Sequence, residues 1–188
     1  SEKLNIGFGM IGAKNFKFME NAWGRRFIEK SAQDKYKWAS AADAGVNAEY
    51  KLSSNISIDA QLLNGEGYKK LQDSNAKFRG GAGLTLKVMP QLTLRAYYDI
   101  SPRTQYTDSL YASENIITAA AVYSSKLFTI GAETNMMKNA ENMLNKEHEL
   151  MSVYGSLKIS RNYTLFGRYD DATNTDEAET FMIYGIER

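Results

Sequence analysis

Residues 78–100 read FRGGAGLTLKVMPQLTLRAYYDI. Phe78, Ala82, Leu84, Leu86 and Val88 alternate with Arg79, Gly81, Thr85 and Lys87; after Met89-Pro90-Gln91, Leu92, Leu94, Ala96, Tyr98 and Ile100 alternate with Thr93, Arg95, Tyr97 and Asp99. A period of two puts apolar side chains on one face of a strand and polar ones on the other. Two such runs on so short a link make an antiparallel hairpin with two chemically different faces.

The same period recurs outward from this hairpin. Leu4, Ile6, Phe8 and Met10 open the chain, and further runs fall at 42–51, 56–62, 128–135, 151–159 and 163–170. Two less regular runs, 116–124 and 179–188, are also read as strands. The total is about ten strands, each near the roughly 9 to 11 residues that a tilted strand needs to cross a bilayer. Short links at 52–55, 89–91, 124–126 and 160–162 alternate with longer polar stretches at 13–40, 64–76, 101–115, 137–149 and 171–178. Short turns at one end and long loops at the other are the arrangement of outer-membrane barrels. On that orientation Tyr50, Tyr123, Phe128 and Tyr163 fall at the short-turn end and Phe78, Tyr98 and Tyr169 at the other, as two aromatic belts.

Composition narrows the function classes. With 188 residues the chain is one domain, and Lys plus Arg number 23 against 22 for Asp plus Glu, so nothing draws it to nucleic acid. Cys is absent and His148 is the only histidine, which removes disulfides, thiol nucleophiles and the usual zinc sites. No apolar run reaches the roughly 18 residues of a membrane helix, while a membrane barrel averages out polar. The N-terminus carries no signal-peptide pattern, so an exported protein is expected here as a processed or truncated chain. His148 and Ser152, flanked by Glu147 and Glu149, are the best local pair for nucleophilic catalysis, yet on one strand they stand about 13 Å apart. Proton transfer does not cross that distance, and the expectation is no enzyme and no cofactor. Gly80-Gly81-Ala82-Gly83 lacks a following helix and reads as room for close packing, not a phosphate loop. Asp170, Asp171, Asp176 and Glu177 lack the spacing of a calcium loop and read as a solvated outer loop.

One segment breaks the strand pattern. Residues 13–40, AKNFKFMENAWGRRFIEKSAQDKYKWAS, carry a helical stretch around Phe16 to Lys30. Phe16, Met19, Trp23 and Phe27 recur at helical spacing as anchors inside a barrel, with Arg25, Arg26 and Lys30 projecting into the lumen. The wall itself offers Lys51, Arg79, Lys87, Arg95, Lys158 and Arg168 against Asp43, Glu49, Asp59, Asp99, Glu133 and Asp170, a balanced set expected mostly to pair across neighbouring strands.

The stretch GFGMIGAKNFKFMENAWGRRFIEKSAQDKYKWASAADAGVNAEY at 7–50 and LLNGEGYKKLQD at 62–73 resembles the porin-like outer-membrane proteins of the Bacteroidetes group, related in architecture to phosphate-selective porins O and P. AYYDI at 96–100, ETNMMKNA at 133–140 and FGRYDD at 166–171 extend the likeness over most of the chain. The resemblance implies an all-β antiparallel transmembrane barrel in the bacterial outer membrane. Family members carry further strands before and after, so this chain is either a closed ten-stranded barrel or part of a larger one. Expected partners are lipid bilayer, lipopolysaccharide and small solutes or anions, in a homo-oligomer or a larger outer-membrane complex. The expected function is passive diffusion, with pore-lining candidates Arg25, Arg26, Lys30, Arg79, Lys87, Arg95 and Arg168. The alternatives are a non-conducting structural barrel, to which a ten-stranded interior filled by side chains would correspond, and a soluble all-β binding module.

Overall fold

The computed structural model describes residues 3–38, 40–69, 78–102, 112–174 and 177–188. Ten strands form one antiparallel sheet: β1 (Leu4–Gly12), β2 (Ala42–Lys51), β3 (Ile56–Leu63), β4 (Arg79–Met89), β5 (Leu92–Ser101), β6 (Glu114–Ser124), β7 (Phe128–Lys138), β8 (Glu147–Lys158), β9 (Thr164–Thr173) and β10 (Ala178–Glu187). Spatial order follows chain order, and β1 and β10 are the two edges. Between β1 and β2 lie two helices, α1 (Lys14–Trp23) and α2 (Ala32–Lys35).

Local chemistry explains the tight turns. In the β2–β3 turn the Ser53 hydroxyl accepts the backbone N–H groups of Asn55 and Ile56, each at 3.1 Å, and Ser125 does the same for Leu127 and Phe128 between β6 and β7. Short hydroxyl side chains that bond two or three residues ahead favour turns over continued strand. Register then carries the alternation from strand to strand. Ala48 pairs with Ala60, Ala60 with Ala82 and Ala82 with Tyr98, one outward row, while the adjacent Glu49, Asp59 and Gly83 form an inward one.

The sheet curls around the insertion. A flat sheet would set β2 and β10 about 38 Å apart, at roughly 4.8 Å per strand. Yet Lys14 at the start of α1 reaches Glu49 on β2, and Arg25, just past its end, reaches Glu187 on β10. The helix between them is only about 15 Å long. β2 and β10 therefore both bend toward the same insertion, whose base is closed where Ala13 N–H donates to Ala41 O at 2.9 Å.

Polarity is inverted across this sheet. The convex side exposes Leu84, Ile117, Ile130, Met151 and Val153, with the greatest exposure on the edge strands, 85% at Phe8 and 79% at Tyr184. Tyr50 and Tyr163 are exposed at the short-turn end and Tyr98 near the other, whereas Tyr169, expected at that other end, is exposed at mid-strand because β9 runs on to Thr173; Tyr123 stacks on Phe128 with ring centroids 5.3 Å apart. The concave side buries Asp59, Arg95, Asp99, Glu133, Arg168 and Asp170. Apolar packing on that side includes two clusters against the insertion: Ala32, Trp38, Ile116, Met137, Ala140 and Leu150, and Ala13, Phe16 and Leu63. The first cluster accounts for one apolar residue on the inward face of 116–124: Ile116 joins it beside Ala32 and Trp38 of the insertion.

Several expectations need correction. β7 and β8 run to Lys138 and from Glu147, so the connection read as 137–149 shrinks to 139–146 and His148 belongs to a strand. There its ring lies 6.5 Å from that of Trp38, because an inward position on β8 faces the insertion. Asp170 is not in a solvated loop: β9 continues to Thr173 and Asp170 is fully buried. Asp176 and parts of the connections 64–76 and 101–115 lie outside the described residues.

Candidate functional site

The insertion and the concave wall around it hold the densest polar chemistry of the molecule. Helix α1 is amphipathic in an unusual sense, with both of its stripes inside the curl. Asn15, Phe16, Met19 and Trp23 form the buried stripe. Lys14, Lys17, Phe18 and Asn21 form another, at the i, i+3, i+4, i+7 spacing of one helix face, and line a cavity. Gly24 ends the helix in the left-handed region at φ 69°, its N–H donating to Glu20 O at 2.8 Å. Because the helix stops there, the anchor spacing stops too. Phe27, expected as a fourth anchor, is 76% exposed.

An amide network fixes the insertion to the far wall. Asn15 Nδ2 donates to Gln33 Oε1 at 3.1 Å and Thr118 Oγ1 at 3.2 Å. Gln33 Nε2 donates to Thr118 Oγ1 at 3.0 Å and to Asn135 Oδ1, and Arg95 Nε donates to Asn15 Oδ1 at 3.0 Å. Thr118, Asn135 and Gln33 are all at most 2% exposed, so each bond replaces hydration that burial removed. Sequence reasoning found none of these three. Thr118 and Asn135 carried only the signal of polar residues at inward positions, and Gln33 carried no signal at all.

Ion pairs dominate the rest of the wall. Arg95, on β5, crosses over β4 to reach Asp59 on β3, Nη1 to Oδ2 at 2.8 Å and Nη2 to Oδ1 at 3.1 Å. Gly83 makes the crossing possible, since a Cβ there would stand 2.7 Å from Arg95 Nη2. Gly81 does the same for Tyr97, whose hydroxyl accepts from Gln61 Nε2 at 2.8 Å. The glycine run thus serves the close packing expected of it. Arg79 engages Asp99 through Nε and Nη2 and Glu114 at 3.3 Å. Arg168 grips Asp170 at 2.6 Å, Asp170 also accepts from Ser152 Oγ at 2.6 Å, and a further guanidinium N–H goes to Lys30 O. Glu133 is 3% exposed and has no cation within ion-pair distance among the described residues.

The insertion is held to β9 and β10 by an alternating series of cations and rings. Lys35 lies 4.2 Å from the Tyr36 and Phe181 rings, Arg168 lies over Phe181 and Trp23, and Arg25 lies over Trp23 and Phe166. Each such contact contributes about 0.5–2 kcal/mol. Lys35 and Arg25 also pair with Glu179 and Glu187 at 3.2 and 2.7 Å, near the two ends of β10. Burial pushes the Tyr36 hydroxyl above its ordinary pKa against the pull of Lys35, so the ring stays neutral beside the ammonium.

The seven sequence-predicted pore residues therefore divide. Arg25, Arg79, Arg95 and Arg168 face inward but are each matched by a carboxylate. Arg26 is exposed and pairs within the insertion, with Glu20 and with Asp34 at 2.7 Å, and the Lys30 side chain is exposed. Arg25 and Arg26 are thus ion-paired groups, Arg25 with Glu187 on β10 and Arg26 with two acids of the insertion itself. Lys87 stands apart. With Lys17 and Lys51 it borders the cavity beside α1, about 540 Å³ in volume, and none of the three has a carboxylate within ion-pair distance among the described residues. The acids of that cavity, Glu49 and Asp59, are taken by Lys14 and Arg95. A net positive chamber results, and Lys17 and Phe18, which the sequence reading passed over, belong to it. Among the described residues no group of three or more His, Asp or Glu is placed to hold a metal ion. No family model matches the sequence, and no curated protein matches it significantly.

Proposed function

We propose that the chain forms a porin-like barrel in the bacterial outer membrane, passing small solutes with a preference for anions around an insertion that constricts the lumen. The observation that carries this reading is the inverted sheet: large apolar side chains outward, arginine and aspartate buried inward. Water would disfavour that outer face, and lipid would favour it. Outward tyrosines near both ends of the strands support the same placement. Anion preference rests on Lys17, Lys51 and Lys87, the charges left without acids in the chamber beside α1.

One observation favours a second reading, a non-conducting structural barrel. Between Asn15, Phe16, Gln33 and the wall the remaining cavity is about 20 Å³, room for about one water. Planar-bilayer recording in a salt gradient separates the two. The conducting reading expects discrete steps reversing on the anion side, and a reversal moved toward zero in Lys17→Gln/Lys51→Gln/Lys87→Gln. Silence from a folded, inserted protein would leave the structural reading.

A further inference from the structure

The chamber beside α1 is larger and more varied than an inorganic anion needs. At about 540 Å³ it falls within the range of small-molecule sites. Three kinds of group line it. Lys17, Lys51 and Lys87 supply ammonium donors, while the two carboxylates of the lining, Glu49 and Asp59, are engaged by Lys14 and Arg95. Asn5, Asn21 and Ser57 supply amide and hydroxyl groups, and Phe18 supplies one aromatic ring. Arg95 lies 5.2 Å from the centre of that ring, which fixes its position in the cavity wall.

We propose that this chamber binds an acidic saccharide of one or two rings, its carboxylate or sulfate held by the lysines and its ring face against Phe18. The inference rests on the chamber being open to solutes, as in the function proposed above. A sugar ring offers hydroxyls that both donate and accept, which the mixed amide and hydroxyl lining matches, and C–H groups that suit the electron-rich face of one aromatic ring. A bare phosphate would use the lysines and leave Phe18, Asn5 and Asn21 idle. A nucleobase is best held between two apolar faces, and the chamber presents one ring.

The test is titration calorimetry on the full chain refolded in detergent micelles, with a glucuronate-containing disaccharide, cellobiose as the neutral control and inorganic phosphate as the simple anion. The expected result is binding of the acidic disaccharide, cellobiose at least tenfold weaker, and losses of about fivefold for Lys87→Gln and for Phe18→Leu. Lys87 is exposed, so its substitution is expected to leave the fold intact and that variant reads binding even if Phe18→Leu disturbs α1. Phosphate binding as tightly as the disaccharide, with Phe18→Leu unchanged, would overturn the proposal in favour of a simple anion site; absence of heat from all three would overturn it outright. Conductance without added sugar is read separately. Binding without conductance sinks only the transport reading, and conductance without binding sinks only this one.

Discussion

Breaking the Arg95–Asp59 pair tests the idea that the concave face is a wall of matched charges. The two side chains are 3% and 5% exposed, and Arg95 also donates to Asn15 Oδ1 and Thr85 Oγ1. Replacing Arg95 by Met leaves Asp59 buried without its cation, a loss of about 3–5 kcal/mol. Asp59→Leu strands the guanidinium instead and costs a similar amount. In the double variant neither charge remains, and apolar groups of similar volume fill the space over Gly83. Its stability is expected to return to within about 1.5 kcal/mol of the parent, for a coupling energy of at least about 2 kcal/mol. Urea unfolding in micelles, followed by the fluorescence of Trp23 and Trp38, measures all four corners of the cycle. A single Arg95→Met loss below about 1 kcal/mol, or strictly additive singles, would refute the reasoning.

The other predictions address different parts of the molecule. Glu133→Gln removes a buried carboxyl that has no cation within ion-pair distance among the described residues, and is expected to stabilise by about 1 kcal/mol in the same unfolding assay. Gly131→Ala brings a Cβ to 2.3 Å from the Tyr154 ring, so it should cost about 1–3 kcal/mol and shift the emission of Trp23, which meets Tyr154 edge-on at 5.8 Å. Gln33→Ala removes one hydrogen bond each from Asn15 and Thr118 and leaves Asn135 Oδ1 without the Gln33 donor, with an expected loss of about 1–3 kcal/mol and faster proteolysis within residues 24–31. Leu84→Arg, on the outward face of β4, should reduce stability in vesicles by about 2–4 kcal/mol if that face meets lipid. A change below about 0.5 kcal/mol would show the face meeting water instead.

The strands were legible because a side chain's face in a sheet depends on parity alone. Arg79, Arg95 and Arg168 were placed inward from that rule, and the glycines at 81 and 83 were recognised as a place of close approach. Parity does not reveal which inward groups meet. Arg95 skips its nearest strand to find Asp59, and only the absence of a side chain at Gly83 permits that path. The insertion was harder still. Helical spacing marked Phe16, Met19 and Trp23 correctly, then overran Gly24 and took in Phe27. Gln33 was invisible because its partners, Thr118 and Asn135, lie 85 and 102 residues away, and no local pattern encodes such a meeting. The three lysines of the chamber escaped as a set for a similar reason: Lys17 is on a helix, Lys51 and Lys87 are on strands, and only the curl assembles them.

The insertion also dictates an order of events. It follows β1 directly in sequence, yet Arg25 pairs with a residue 162 positions later and Lys35 with one 144 positions later. Its amide and ring contacts need groups on β5 to β10, and only Phe16 finds an earlier apolar partner, Leu63 on β3. The last hairpin, the most distant in sequence, is the one that captures it. Closing loops of that length is entropically slow, and the seating of the insertion against β9 and β10 is therefore expected to be a late step of folding.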